Sequence, residues 1–402
     1  MSVMPSVARR TLSLVPLAVV ALVATGCSSN DKAASAGSSS GGKNGGKNGA
    51  VTIKAGDKSC EVATGSLPAG RHTFSVANTA SQVTEVYVYA PGDRIMGEVE
   101  NIGPSTKRDL IIDLPAGEYE VACKPGMVGD GIRSTLKVTG SRATPATVDQ
   151  RLRTAVASYR AYVESETAAL VDTTAAFTAA VTAGDLAKAQ AAYPTARLHY
   201  ERIEPIAESF GDLDPLIDMR ADDITEGTPF TGFHALEQML FQKKALGADA
   251  SALADGLDVN TAKLAGLVKT VRITPLTMGN GAKSLLDEVA KSKVTGEEER
   301  YSRIDLLDFA GNVDGAKYVY SALRPALQER DPALVTALDQ RFPALVGLLD
   351  THRAQRGDRG YVPGSPYVSY DALSRDEVKA LAVEVDTISE PLGRISSVVT
   401  SK

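Results

Sequence analysis

Thr84-Glu85-Val86-Tyr87-Val88-Tyr89 alternates around Val86 and Val88, and a period of two is that of a strand laying one face on a core. Working outward, the same alternation returns in Val51-Thr52-Ile53, His72-Thr73-Phe74-Ser75-Val76, Leu110-Ile111-Ile112-Asp113-Leu114, Tyr119-Glu120-Val121-Ala122-Cys123 and Thr135-Leu136-Lys137-Val138. Turn signals separate these runs: Pro68-Ala69-Gly70, Pro91-Gly92-Asp93 and Pro115-Ala116-Gly117. Six or more short strands in about 90 residues predict an all-β sandwich, here placed at 51–140.

From about 147 onward the period becomes helical. Leu152, Val156, Tyr159 and Val163 fall on one stripe, and Gly184-Asp185 restarts a helix. Thr274-Pro275 is a cap followed by proline at the first helical position, and Ser374-Arg375-Asp376-Glu377 is a capping box. The 357–370 stretch, rich in Gly, Pro and Tyr, reads as an ordered surface loop before the last helix. The chain is therefore multidomain: an N-terminal all-β sandwich, then an all-α domain over 147–402.

The N-terminus reads as a signal peptide over 1–26, with Arg9 and Arg10 ahead of an apolar Leu12–Val23 segment and Ala24-Thr25-Gly26-Cys27 at its end. A small residue before Cys27 fits lipoprotein processing, with Cys27 acylated; cleavage by an ordinary signal peptidase is the alternative. Residues 27–50 then form a flexible linker of Ser, Gly, Ala, Asn and Lys, with a reach of about 25 Å. The expectation is an exported protein, anchored by lipid to the outer face of the cytoplasmic membrane. A formal net charge of −6 among 402 residues, with no basic cluster, argues against nucleic acid and toward handling of small cations.

The chain has 4 histidines, and one of them lies in Thr231-Gly232-Phe233-His234-Ala235-Leu236-Glu237. Residues three apart share a helix face, so His234 and Glu237 can converge on one ion. Ala235 and Gln238 rule out the zinc-peptidase pattern His-Glu-x-x-His. Upstream, Glu201 and Glu204 lie at i and i+3 in Tyr200-Glu201-Arg202-Ile203-Glu204-Pro205, and Asp218, Asp222 and Asp223 surround Arg220. These acids are either solvated partners of the arginines or inward-facing metal ligands of a helical bundle.

In the sandwich, Cys123-Lys124-Pro125-Gly126-Met127 places a thiol and a thioether either side of a turn after a strand. This resembles the way cupredoxins present Cys and Met to copper. Glu85 stands where such a domain has its first histidine, Cys60 adds a second thiol, and His72 is an ordinary surface residue. Cys60 and Cys123 form either a disulfide or, with Glu85 and Met127, a mixed second metal site.

The combination of this sandwich with Tyr200-Glu201-Arg202-Ile203-Glu204-Pro205, Ile206-Ala207-Glu208-Ser209-Phe210, Gly232-Phe233-His234-x-x-Glu237, and Asp305-Leu306-Leu307-Asp308-Phe309 with Asn312-Val313-Asp314-Gly315 resembles the EfeO-type iron-uptake lipoproteins. The resemblance spans the whole mature chain. It implies a cupredoxin-like domain joined to an imelysin-type helical domain, a pair of related bundles. It implies an iron carrier, for ferrous or ferric iron, working with an iron permease in the membrane and an exported haem peroxidase of the dye-decolourising type. His234 and Glu237 would be the imelysin-type ligands. Glu201, Glu204 and the acids at Asp222 and Asp223 are additions from charge and spacing. The Cys60, Glu85, Cys123 and Met127 set would hold copper or ferric iron. Metal-binding transport is favoured over enzymatic activity, with an imelysin-type metallopeptidase and a copper-dependent ferrous oxidase as alternatives.

Overall fold

The computed structural model describes residues 49–91, 94–140, 149–224, 227–291 and 293–401. The expected signal segment, Cys27 and nearly all of the linker lie outside them. Among the described residues no helix is long and apolar enough to cross a membrane.

The strands are β1 (Val51–Ala55), β2 (Cys60–Val62), β3 (Ser66–Pro68), β4 (Gly70–Asn78), β5 (Thr84–Ala90), β6 (Arg94–Ile102), β7 (Lys107–Leu114), β8 (Gly117–Pro125) and β9 (Ile132–Thr139). One sheet runs β2-β1-β4-β7 and the other β3-β9-β8-β5-β6. Every run expected as a strand lies in one, and the two sheets close over a core that includes Ile53, Phe74, Val86, Val88, Leu110, Val121 and Leu136. Each such side chain, buried, contributes roughly 1.5–3 kcal/mol. The alternation of β5 means something other than one wet face, because its whole length is buried. Tyr87 and Tyr89 stack 5.4 Å apart on the side away from the main core, covered by Lys124 and Arg133 at 4.0 and 4.8 Å from the respective ring centres.

The helices are α1 (Gln150–Thr182), α2 (Leu186–Ile203), α3 (Leu213–Asp218), α4 (Gly232–Glu237), α5 (Ala250–Leu267), α6 (Pro275–Lys291), α7 (Asp305–Arg330), α8 (Pro332–Asp350) and α9 (Arg375–Thr400). Their starts follow the side-chain chemistry. Asp185 accepts from the Lys188 N–H, Thr274 from the Thr277 N–H at 3.1 Å, and the capping box of Ser374 and Glu377 is formed. One continuous apolar core runs through all the long helices, taking Leu152, Tyr159 and Val163 from α1, Tyr193 from α2, Val319 from α7 and Leu392 from α9.

The sandwich seats on the helical part through short polar ties. Asn280 Nδ2 of α6 donates to the Ile111 carbonyl of β7 at 2.8 Å, and Arg272 lies 3.5 Å from Asp113. Gly281 is what allows the approach within the helical part, since a Cβ there would lie 1.6 Å from the Pro205 carbonyl oxygen.

Candidate metal centre

The helices deliver their charged side chains to one buried point. α2 brings Arg197 and Glu201, α3 ends at Asp218, α4 carries His234 and Glu237, the turns after α6 supply Lys293, Glu298 and Glu299, and α7 adds Asp308 and Asn312. Position 232 sets the geometry. Gly232 has a φ of +75° and its missing Cβ would lie 2.1 Å from the Ile217 carbonyl oxygen, so α4 starts hard against the end of α3. That brings His234 beside Asp218. Directly after Glu237 the helix widens into a π turn, Gln238–Lys243, a local irregularity common at functional sites.

His234 is 2% exposed. Its Nδ1 contacts Glu237 Oε2 at 3.0 Å, and Glu237 Oε1 accepts from the Tyr301 and Ser302 N–H groups, each at 2.7 Å. The other ring nitrogen, Nε2, is buried without a hydrogen-bond partner. It faces Asp218 at 3.5 Å and Glu298 at 4.0 Å. The ligand-capable atoms of Asp218, His234 and Glu298 form one group compact enough for an ion, and those of His234, Glu237 and Glu299 form another.

Two buried cations sit among these acids. Arg197 pairs with Glu201 and Asp218 and lies 3.0 Å from Glu299 and 3.2 Å from Asp308. Lys293 Nζ is 2.6 Å from Glu201 and 2.9 Å from Glu204. The carboxylates exceed these cations, and several of them are shifted toward the protonated form. Burial raises Asp218 to about 7 against the pull of Arg197 and His234. It raises Glu237 to about 7 although the Ser302 and Tyr301 amides favour the anion. Burial and the neighbouring Glu237 carry Glu299 well above the usual carboxylate range. Glu298 goes the other way: burial would raise it, but Lys293 and Arg220 hold it down at about 2. Burial and then Arg197 lower the His234 imidazole, which favours its neutral form. A neutral imidazole with a free lone pair, facing carboxylates that hold exchangeable protons, is a donor set for a transition-metal cation.

The expected residues separate in space. His234 and Glu237 meet as their spacing required. Glu201 and Glu204 lie one step behind, held by Lys293 and by Asn312 Nδ2 at 2.9 and 2.6 Å. Asp223 pairs with Arg220 at 2.9 Å with its side chain 52% exposed, and Asp222 pairs with Arg300 at the surface. Glu298 and Glu299 were not singled out from the sequence, where Glu297-Glu298-Glu299-Arg300 looks like a solvated charge run. Arg197 and Lys293 gave no signal, because a lone cation in a helix usually points to water.

In the sandwich, Cys60 of β2 and Cys123 of β8 are joined, S–S 2.06 Å, tying one sheet to the other. Of the alternatives left open above, the disulfide is the one formed. The set of Cys60, Glu85, Cys123 and Met127 is thus not assembled as a thiolate site, since both sulfurs are bonded to each other and carry no charge for a metal. Glu85 is buried and its cation is Lys124, at 3.6 Å. Met127 sits at the turn after β8 with a φ of +59°.

A disulfide-tied β-sandwich followed by a helical domain with a buried His-x-x-Glu site defines a cupredoxin-like plus imelysin architecture. Residues 17–138 match the cupredoxin-like domain family and residues 155–395 match the imelysin family. The iron uptake system component EfeO of Yersinia pseudotuberculosis serotype I is 37% identical over 354 residues, 87% of this chain and 91% of its own length. That of Yersinia pestis is 37% identical over 355 residues, with the same shares, and that of Escherichia coli O1:K1 is 35% identical over 356 residues, again 87% and 91%. The chain belongs to the EfeO family of iron uptake system components.

Proposed function

We propose that this protein is the extracytoplasmic iron-binding component of an uptake system, taking ferrous or ferric iron at His234 and passing it to a permease in the membrane. The observation that carries the reading is the buried, unpartnered Nε2 of His234 facing Asp218 and Glu298. With Nδ1 donating to Glu237, the lone pair is on Nε2, so Glu237 orients the ring and Nε2, Asp218 and Glu298 bind the ion. Mixed imidazole and carboxylate donors suit ferrous iron, and the carboxylates suit ferric iron. The names of the relatives support iron as the cargo. Lipid anchoring through Cys27 and work beside an exported haem peroxidase complete the proposal.

Calorimetric titration of the protein with ferrous iron under argon tests this. His234→Ala is expected to weaken binding at least 100-fold, on the order of what outer partners of metal ligands reach at their upper end. Glu237→Gln, which keeps the ring contact but loses the charge, is expected to weaken it roughly 10-fold. Undiminished affinity in His234→Ala would remove the helical site from consideration. The copper-dependent oxidase reading has lost its thiolate. The peptidase reading requires a free general base, and Glu237 is instead committed to His234 and two backbone amides.

A further inference from the structure

The His234 site is enclosed by helices, yet Asp218 and Glu298 also form the inner wall of a cavity of about 450 Å³. Its opposite wall belongs to the sandwich: Tyr87 of β5, and Ile95, Glu98 and Glu100 of β6. Glu98 and Glu100 are two apart on one strand and so share a face. Tyr87 donates its hydroxyl to Glu100 at 3.2 Å, and burial followed by the charges of Glu98 and Glu100 raises this tyrosine, a sign that both carboxylates act on the same space. Between the walls stand Asp223 and Glu288, with Arg220 reaching from Asp223 at 2.9 Å to Glu298 at 3.0 Å and Glu288 at 3.6 Å. Among the described residues that line it, Arg220 is the basic one.

The inner end of this cavity is defined by more than acidity. Nε2 of His234, buried and without a partner, lies 3.5 Å from Asp218 and 4.0 Å from Glu298, on the side of the ring that meets the cavity wall. Its Nδ1 side is closed by Glu237 and the backbone of Tyr301 and Ser302. A cleft in which one sign of charge predominates between low-dielectric walls focuses the field and raises the arrival rate of an opposite charge.

We infer that the cavity between the two domains is the access route of the metal cation to Nε2 of His234, and that Glu98 and Glu100 of the sandwich are its capture groups. The sandwich then serves the helical site by supplying one wall of its approach, with no metal centre of its own required. Among the described residues Arg220 is the cation of the route, holding Glu298 and Glu288 together until a dication replaces its charge. This inference rests on the proposed iron site at His234.

Stopped-flow binding of ferrous iron under argon, with cobalt(II) as an air-stable probe, tests it on the whole protein. Glu98→Gln/Glu100→Gln is expected to slow association about 10-fold or more and to flatten its dependence on salt, with stoichiometry kept. The control is Glu61→Gln/Glu118→Gln, which removes the same charge from exposed sandwich positions. It is expected to match the parent protein, and circular dichroism checks that both variants fold. If the cavity variant associates as fast as the control while His234→Ala does not bind, the route is wrong and the site stands. If the parent protein fails to bind, or His234→Ala binds as the parent does, the site itself is wrong and the route falls with it.

Discussion

His234 and its neighbours hold more acid than base, and that imbalance governs how the site responds to pH. Asp218 and Glu237 both stand at about 7 in the folded protein, above the roughly 4 of an unfolded carboxyl. The folded state therefore binds extra protons between about pH 4 and 7. Their contribution to the metal-free protein's stability is fully present below about pH 4 and is lost as the pH rises through about 7. Metal binding at the proposed site would displace those protons and is expected to strengthen over the same window. Thermal melts of the metal-free protein from pH 5 to 8 should fall with pH, the fall should be smaller in Glu237→Gln, and added ferrous iron should raise the curve most at pH 8. A melt that climbs with pH in all three cases would show that these carboxyls are already ionised. Lys293 gives a second test. It is fully buried against Glu201 and Glu204, so Lys293→Met leaves two buried acids with less counter-charge and is expected to cost about 3–5 kcal/mol by urea denaturation.

Among the elements, α4 matters most although it is only 6 residues long. So short a helix has little stability of its own, and its place comes from Phe233 and Leu236 in the core and from the glycine contact at Ile217. Gly232→Ala must push α4 away from α3, which separates His234 from Asp218. The expected result is a loss of about 1–3 kcal/mol in stability together with weaker iron binding, read by melting and by calorimetry on the same sample. A variant that loses stability but binds iron unchanged would show that the spacing of α3 and α4 does not set the site. The sandwich element β6 has a different part: it packs beside the Glu204–Phe210 turn and turns its acids toward the helical domain.

Across the whole molecule, the two domains are stabilised by different means. The sandwich carries the Cys60–Cys123 bond over a sequence separation of 63, and breaking such a loop costs about 2–4 kcal/mol. The helical domain is expected to gain from iron bound at the proposed site, by roughly 2.7 kcal/mol at a hundredfold excess over Kd. Mild reduction should therefore lower the melting of the sandwich while leaving iron stoichiometry at His234 unchanged, as followed by near-ultraviolet dichroism and calorimetry. Loss of iron binding on reduction would instead tie the disulfide to the metal centre.

The two-domain order, the strand runs, the helix caps and the His234–Glu237 pair were legible in the chain itself, because each depends on residues close in sequence. A period of two, a Ser-x-x-Glu cap and a His-x-x-Glu spacing all express local backbone geometry. Which acids join His234 depended on the tertiary structure. Asp218, Glu298 and Glu299 arrive from separate segments, and whether a carboxylate is solvated or buried beside Arg197 and Lys293 is a property of packing. The same holds for the cysteines, whose pairing needed two strands of opposite sheets to meet. It holds as well for Glu98 and Glu100, ordinary strand residues by pattern, which line one cavity with Asp218 and Glu298 only because the sandwich is seated on the helices. Burial turns these charges from solvated groups into a site, and burial is decided by contacts between residues far apart in the chain.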